Sequence, residues 1–310
     1  MHALVTGATG FVGSRLAEAL SSEGHAVRCL VRDAGASGRL RQGGFELHEG
    51  DVLRAETLEG AGRDVDVAYY LVHLMGRVGT GTFAEQEQVA ARAFARMARR
   101  EGVGRVVYLG GLGDRPGSAH LRSRHETARI LAAEGPPLTY FRAAMVVGAG
   151  SESYRTLRYL VQRLPVMIAP SWLRTSTQPV GIDDVIRYLT QAPDVPTSAG
   201  REIQIGGPDI LSYGEMLDRM ARVMGKRPRP KLSVPLLSPR LSSLWLGLVT
   251  PVDTAVARPL VEGLRTETVV TDPSGAALFE VHPLPFDATL RRAFSEERTA
   301  GDRDRGLQRS

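Results

Sequence analysis

Cysteine is nearly absent from this chain, and long hydrophobic runs are missing. The single cysteine among the 310 residues, Cys29, excludes an internal disulfide framework and agrees with a reducing cytoplasm, the location we expect. No histidine or cationic cluster stands beside it in the sequence. We therefore expect Cys29 to be a buried strand residue rather than a nucleophile.

No apolar run approaches the roughly 20 residues that a membrane-spanning helix needs. The best candidate, residues 241–249, is too short and is followed by Pro251. We interpret it as a helix packed on its own domain, with peripheral membrane contact through residues 241–265 as the alternative. A signal peptide is not expected, because the first predicted strand begins at residue 2.

Signals for nucleic-acid or metal binding are also weak. The net charge of +5 is modest, and the basic residues are scattered without interleaved aromatic residues or a helix-turn-helix pattern. The sequence therefore predicts a small-molecule substrate, no nucleic acid and no metal, and it makes no prediction about oligomeric state. At 43% hydrophobic residues, the chain can bury the core of one large domain and a smaller lobe.

A glycine-rich loop stands at the very start of the chain. Residues 6–13, T-G-A-T-G-F-V-G, directly follow the apolar first strand. The spacing of Gly7, Gly10 and Gly13 allows a tight turn, close approach to a pyrophosphate, and packing of the next helix against the sheet. That helix, predicted from Phe11, directs its N-terminal amides at the phosphates. A plain structural turn is the alternative. The predicted dinucleotide-binding residues of the loop are Gly7, Thr9, Gly10, Phe11, Val12 and Gly13.

The end of the second strand bears on which dinucleotide binds. The strand predicted at Ala26–Val31 is followed by Arg32 and Asp33. An acidic residue at this tip binds the ribose diol of NAD, whereas an arginine accepts the extra phosphate of NADP. Because Arg32 directly follows the apolar strand, NADP is the predicted cofactor and NAD is the alternative. Arg32 can instead pair with Asp33 or another surface acid and contact no phosphate.

Asp51 follows the third predicted strand, in the step Gly50-Asp51-Val52. Its carboxylate can accept a hydrogen bond from the adenine amino group, or it can cap the N-terminus of a helix. The sequence leaves both roles open.

Strand and helix patterns alternate over the first 145 residues. Such alternation predicts an α/β fold of the Rossmann type, a doubly wound parallel sheet with helices on both faces. We place a dinucleotide-binding domain at residues 1–150, and inserts with a smaller C-terminal α/β lobe at 151–295, where prolines interrupt the alternation. Residues 296–310 are charged and poor in apolar residues, which predicts a disordered tail.

Several motifs resemble those of a known family. The glycine loop and the Gly50-Asp51-Val52 step are similar to those of the extended or atypical short-chain dehydrogenases/reductases. Further segments resemble an NmrA-like or YbjT-like NAD(P)-binding subgroup of bacteria: YYLVHLM at 69–75, YLGGL at 108–112, QPVGIDDV at 178–185 and IGGPDILSY at 205–213. In such relatives the residues just after the fourth strand border the cofactor. The resemblance therefore implies cofactor contacts for Leu71, Val72 and His73, besides Asp51 and Val52.

The catalytic pair of that family is missing. Its members carry a tyrosine and a lysine four residues apart on the helix after the fifth strand, and a serine or threonine at the end of that strand. Here lysine occurs only at 226 and 231, the strand ends in Gly110-Gly111, and the helix carries His120 and Arg124. His120 is the candidate catalytic acid, and Arg124 would hold the ribose or a phosphate, because its pKa is too high for proton exchange. A solvated histidine is the alternative to this role. Other candidate donors are His73, Tyr69 and Tyr70.

The sequence thus predicts an NADP(H)-binding, atypical short-chain dehydrogenase-like oxidoreductase. Its substrate would be a small apolar or aromatic molecule held under the C-terminal lobe. The alternative is a catalytically silent NAD(P)H-binding sensor or assembly factor. The lost Tyr/Lys pair favours this alternative, whereas an enclosed substrate cleft favours the enzyme.

Overall fold

The computed structural model describes residues 1–72, 83–113, 119–163, 167–169, 171–233 and 265–307. The α-helices are α1 (Phe11–Ser22), α2 (Gly38–Gln42), α3 (Phe83–Arg100), α4 (Ala119–Glu134), α5 (Glu152–Arg163), α6 (Ile182–Gln191), α7 (Tyr213–Val223) and α8 (Phe286–Leu307). The first six strands are β1 (His2–Thr6), β2 (Ala26–Val31), β3 (Glu46–Glu49), β4 (Val67–Tyr70), β5 (Arg105–Gly111) and β6 (Leu138–Ala143). The later strands are β7 (Val146–Val147), β8 (Met167–Ala169), β9 (Ser176–Thr177), β10 (Val180–Gly181), β11 (Glu202–Ile205), β12 (Leu211–Ser212) and β13 (Lys231–Ser233).

A seven-stranded parallel sheet forms the centre of the molecule, in the order β11-β6-β5-β4-β1-β2-β3. The inner strand β4 is buried along its whole length because helices cover both faces of the sheet. The strand order reverses between β1 and β4, and such a switch point opens a crevice at the carboxyl ends of the strands. The predicted α/β, Rossmann-type fold is confirmed.

Helices pack on the two faces of this sheet in different ways. On one face, α1 and α6 bury Leu16, Leu20 and Leu189 against the strands. On the other face, α3 packs closely against α4. The alanines of α3 permit this close approach, since their small side chains are wholly buried. These alanines are Ala90, Ala91, Ala95 and Ala98.

The boundary expected at residue 150 does not separate two independent layers. Strand β11 pairs with β6 and so completes the sheet from the far side of that boundary. Helix α6 also belongs to the sheet layer, because it packs against α1. The alternation resumes after the proline-interrupted stretch, and the apolar faces of α6 and β11 are buried against the first half of the chain and against Phe279.

The disordered tail expected at 296–310 stays a prediction. Helix α8 continues to Leu307, so most of that segment is helical in the structure. Two of its acidic residues have partners on other elements: Glu296 pairs with Arg15 of α1, and Glu297 pairs with Arg158 of α5. These two ion pairs join the start of the segment to the rest of the molecule.

Cys29 lies fully buried in β2, as expected, and burial raises the pKa of its thiol to about 12. Within the described ranges, no helix is long and apolar enough to cross a membrane. The segment considered for peripheral membrane contact lies, from 241 to 264, outside the described residues.

Candidate functional site

The loop between β1 and α1 depends on two of its glycines. Gly7 has a φ of +66°, in the left-handed region that favours glycine. Its carbonyl oxygen accepts a hydrogen bond of 2.8 Å from the amide of Gly10. A Cβ on Gly13 would lie 2.2 Å from that same oxygen. Only glycine at position 13 therefore lets the helix begin so close to the turn.

The N-terminus of α1 is left open. Its N-cap is Gly10, which has no side chain to bond the first amides, and no acidic residue lies in the first turn. The first amides of a helix need partners, and together with the helix dipole they favour an anion. The N-terminus of α1 is therefore suited to binding a phosphate group.

Strand β4 ends against the same loop. The Thr6 hydroxyl donates to the carbonyl of Tyr69 and accepts from the amide of Leu71, each at 3.0 Å. A Cβ on Gly7 would lie 2.6 Å from the Leu71 carbonyl oxygen. These contacts bring Leu71 and Val72 to the loop. The remaining residue implied there, His73, lies outside the described residues.

A single cleft of about 960 Å³ runs along the carboxyl ends of the strands, within the size range of small-molecule sites. It brings together the sequence-predicted residues of the described ranges. On the dinucleotide side these are Gly7, Thr9, Gly10, Phe11, Val12, Gly13, Arg32, Asp51, Val52, Leu71 and Val72. The far end contains His120 and Arg124.

Arg32 lies exposed at the tip of β2 and lines this cleft. Its alternative partner, Asp33, accepts instead from the amide of Ala36 at 3.0 Å. Arg32 has no hydrogen bond or ion pair with any residue in the described ranges. Arg28, on the same strand, is engaged by Glu46 at 2.7 Å. Of these two arginines, Arg32 is therefore the one whose guanidinium can contact a ligand in the cleft.

Asp51 shapes a turn beside the cleft. Its Oδ1 accepts from the amide of Leu53 at 3.0 Å, ahead of a short 3₁₀ helix at Ala55–Leu58 whose N-cap is Arg54. The residue also lines the cleft. A contact with the adenine amino group stays a prediction.

His120 and Arg124 form a hydrogen-bonded pair on the first turns of α4. The Arg124 Nε donates to His120 Nε2 at 2.9 Å, and His120 Nδ1 is buried without a partner. Burial, and next the charge of Arg124, lower the pKa of His120 to about 3. The role of His120 as the catalytic acid stays a prediction, and the lowered pKa disfavours it because it leaves the imidazole neutral at physiological pH. Partial burial of the ring disfavours the alternative, a solvated histidine.

The tyrosines considered as alternative donors belong to the strand core. Tyr69 is 0% and Tyr70 is 2% exposed. The Tyr69 hydroxyl donates to the carbonyl of Leu189 at 3.2 Å, on the side of α6. Burial raises the pKa of both phenols. Neither tyrosine lines the cleft.

The glycine pair at the end of β5 makes room for neighbouring side chains. A Cβ on Gly110 would lie 2.7 Å from the Tyr140 ring, and one on Gly111 would lie 2.7 Å from Leu121. The Tyr140 hydroxyl, from β6, is buried without a partner, and burial raises its pKa to about 12. A hydroxyl group from the neighbouring strand thus lies close to Gly110, at the end of β5.

The part of the chain after residue 143 contributes lining residues that the sequence did not single out. Tyr213, at the first position of α7, lines the cleft and hydrogen bonds with Thr177 and Thr268. The Thr268 hydroxyl donates to that of Thr177 at 2.7 Å. The capping pattern of Ser212 and Glu215 was available as a signal for the start of α7, but it does not tell which way the helix faces. Other lining residues of this part include Met145, Ser151, Glu152 and Ser153.

Comparisons with known proteins agree with this geometry. Residues 7–147 match a family model described as NAD(P)H-binding. The chain is 28% identical over 295 residues to a ceramide reductase of Caulobacter vibrioides, covering 91% of this chain and 89% of the relative. It is 23% identical to the rat mitochondrial NADH dehydrogenase [ubiquinone] 1 alpha subcomplex subunit 9, covering 96% of this chain and 80% of that protein.

Solved structures share the fold. The NADPH-dependent quinone oxidoreductase of Escherichia coli superposes with a TM-score of 0.74 at 18% identity, covering 95% of this chain and 100% of that one. The triphenylmethane reductase of Citrobacter gives a TM-score of 0.74 at 16% identity, with the same two coverages, 95% and 100%. At such identities the likeness concerns the fold.

Proposed function

We propose that this chain, which has an NAD(P)H-binding domain over residues 7–147 and the fold of the atypical short-chain dehydrogenases/reductases, is an NADP(H)-dependent reductase of a small apolar carbonyl or quinone compound. The observation that carries the proposal is the continuity of the cleft. It extends from Arg32, past the glycine loop, to His120 and Arg124. One space can therefore hold both a dinucleotide and a second molecule.

The residues present fit a phosphorylated dinucleotide. The open N-terminus of α1 suits the pyrophosphate, and the guanidinium of Arg32 suits a 2′-phosphate. Asp51 lies where a carboxylate can accept from the adenine amino group. When bound, the reduced nicotinamide supplies a hydride. The neighbours include a triphenylmethane reductase complexed with NADP(H), which supports the choice of NADP.

The far end of the cleft favours an apolar substrate. Small and aliphatic residues form one wall of it, so an apolar body would lose little on leaving water there, while Arg124 offers a partner for a polar oxygen. Reductases of ceramide, quinone and triphenylmethane are named among the similar proteins, and this supports the reduction of an apolar compound. The residues of this wall are Leu109, Gly110, Gly111, Leu112, Leu121, Ala143, Ala144, Met145 and Val146.

The experiment is a panel of carbonyl, quinone and enone substrates with NADPH, followed at the nicotinamide absorbance. Turnover of at least one apolar member supports the proposal, and faster reduction of apolar than of charged analogues supports the substrate class. NADPH binding without turnover of any member would contradict it and favour the silent sensor or assembly factor instead.

Cofactor choice is tested by Arg32→Ala. Loss of a charge-assisted contact to a phosphate should weaken NADPH binding by about 10- to 100-fold and leave NADH binding within about twofold. The measurement is a fluorescence titration with each cofactor. Arg63→Ala is the matched control, since Arg63 is exposed and lies outside the cleft. Equal losses of NADPH and NADH affinity would overturn the assignment of NADP.

A further inference from the structure

Neither nitrogen of His120 is placed to give a proton to a substrate. Nε2 accepts from Arg124 Nε at 2.9 Å, and Nδ1 has no exposed surface although the residue lines the cleft. An arginine N–H is always a donor, so Nε2 must carry a lone pair. A neutral imidazole has one N–H, which is therefore at Nδ1, an atom without exposed surface.

Arg124 differs from His120 in what it presents to the cleft. Its guanidinium is always charged, and its Nε donates to His120, which fixes the plane of the group. The residue lines the cleft beside Gly110 and Gly111, which have no side chains to cover it. A cation held in a fixed orientation beside a reacting oxygen stabilises negative charge without reorganisation.

Resting on the proposed reductase function, we propose that Arg124 is the catalytic residue that stabilises the substrate oxygen, and that His120 is a positioning residue which orients Arg124 as a neutral hydrogen-bond acceptor. As the hydride adds to the carbonyl carbon, the C=O π pair moves to oxygen. The Arg124 guanidinium meets that negative charge. Water then protonates the alkoxide, and the resulting hydroxide is neutralised by the bulk solvent.

The surroundings of His120 keep it an acceptor. On its own helix the charged group in contact is Arg124. From α3, the Phe83 ring lies 6.3 Å away between centroids, and Glu87 bonds Ser123. From β5, the Tyr108 hydroxyl donates to the Arg124 carbonyl at 3.4 Å. Within the described ranges no carboxylate contacts the ring, so nothing there favours its protonation.

The first test is a spectrum of the protein without cofactor. Long-range ¹H–¹⁵N correlation spectra should show His120 as the neutral Nδ1–H tautomer, unchanged from pH 8 to pH 5. His120→Gln identifies the signal by removing it. A His120 signal that titrates near pH 6.5, or that carries its proton on Nε2, would overturn the inference whether or not the chain is a reductase.

The second test compares variants by kcat and KM with a substrate found in the panel. Arg124→Gln should lower kcat by about 100-fold, with a smaller change in KM, as expected for a group acting on the transition state. His120→Leu should lower kcat by at least tenfold. His120→Gln, whose amide oxygen can accept from Arg124, should recover much of that loss. Arg129→Gln on the exposed side of α4 is the control.

The pH profile separates the two possible roles. If His120 orients Arg124, kcat should have no limb assigned to His120 between pH 5.5 and pH 8. A kcat that falls as the pH rises through 6.5, and that loses this limb in His120→Gln, would show His120 acting as an acid and would overturn the inference. Absence of turnover in the unmodified chain would instead overturn the proposed function, while the spectrum still decides the orientation.

Discussion

Gly7 and Gly13, in the glycine-rich loop of residues 6–13, lie too close to backbone atoms for any side chain to fit. Gly7 lies against the carbonyl of Leu71, and Gly13 lies against the carbonyl of Gly7. A methyl group at either position would meet a backbone oxygen, which cannot move away as a flexible side chain can. The spacing of these glycines is visible in the sequence, and so the loop could be predicted from it.

The two arginines at β2 have different surroundings, and residue type alone does not predict the difference. Arg28 and Arg32 both lie on or beside the same strand, yet Arg28 bonds Glu46 and the Arg63 carbonyl at 2.8 Å. Arg32 lines the cleft instead. The sequence favoured Arg32 by its place at the strand tip. The partners of Arg28 lie on β3 and in the turn at residues 60–63. Both are distant from Arg28 in the sequence, so the sequence around Arg28 does not predict these bonds.

Histidine 120 should make the protein sensitive to acid. In the unfolded chain its pKa is near 6.5, whereas in the folded protein it is about 3. Below pH 6.5 the unfolded state therefore binds a proton that the folded state does not, and stability falls as the pH drops toward 3. At pH 5 this loss is at most about 2 kcal/mol.

The measurement is the urea midpoint at pH 7.5 and pH 5 for the unmodified chain and for His120→Gln. The variant should lose less stability over this interval, because it has no group to protonate. His282→Gln, at a residue outside the cleft, is a control for the loss of an ordinary histidine. An equal fall in the two midpoints for His120→Gln and the unmodified chain would contradict the assigned pKa.

At the scale of elements, helix α8 is joined by an ion pair to α1, the helix that follows the glycine loop. Arg15 of α1 donates to the Ala149 carbonyl at 2.8 Å and to Glu296 at 2.9 Å, and it lies over the Phe11 ring at 4.6 Å. Glu297, one residue further, accepts from the buried Tyr154 hydroxyl at 3.1 Å. Helix α8 therefore contacts the first turns of α1 through the Arg15–Glu296 ion pair.

Truncation after Ser295 tests this anchoring. Loss of two partly exposed ion pairs, together with the partner of a buried hydroxyl, should lower the thermal midpoint by about 3–8 °C. Truncation after Leu307 is the control and should leave the midpoint within about 1 °C. If both truncations melt together with the full chain, the segment is the disordered tail that its composition suggests.

Several elements could be located from the sequence. The strand predicted at Ala26–Val31 has the bounds that β2 has in the structure. Helix α8 beyond residue 295 was missed, because its partners are distant in sequence.

At the scale of the whole molecule, the two halves of the chain form one core. The face of the sheet that carries α1 is covered by Ile182, Val185 and Leu189 of α6. Ile203 and Ile205 of β11 extend the same core. Without residues 151–295, these apolar faces of the first half would be exposed to water.

A fragment of residues 1–150 should consequently fail to fold on its own. We expect no cooperative thermal transition, binding of a hydrophobic dye, and no measurable NADPH affinity. Residues 1–307, prepared in the same way, serve as the control and should melt cooperatively. A fragment that melts cooperatively and binds NADPH would show that the first half is an independent domain.

The sequence by itself determined the fold class, the glycine loop and the place of Arg32, because each is a local pattern whose physics acts within a few residues. It also excluded a Tyr/Lys pair, since lysine is absent from the first 225 residues. Tertiary structure alone decided the burial of His120 and its bond to Arg124, the wall formed by Tyr213 and Thr268, and the helical end of the chain. Burial and hydrogen-bond partners from distant elements control these features, and no local pattern records which partners will meet.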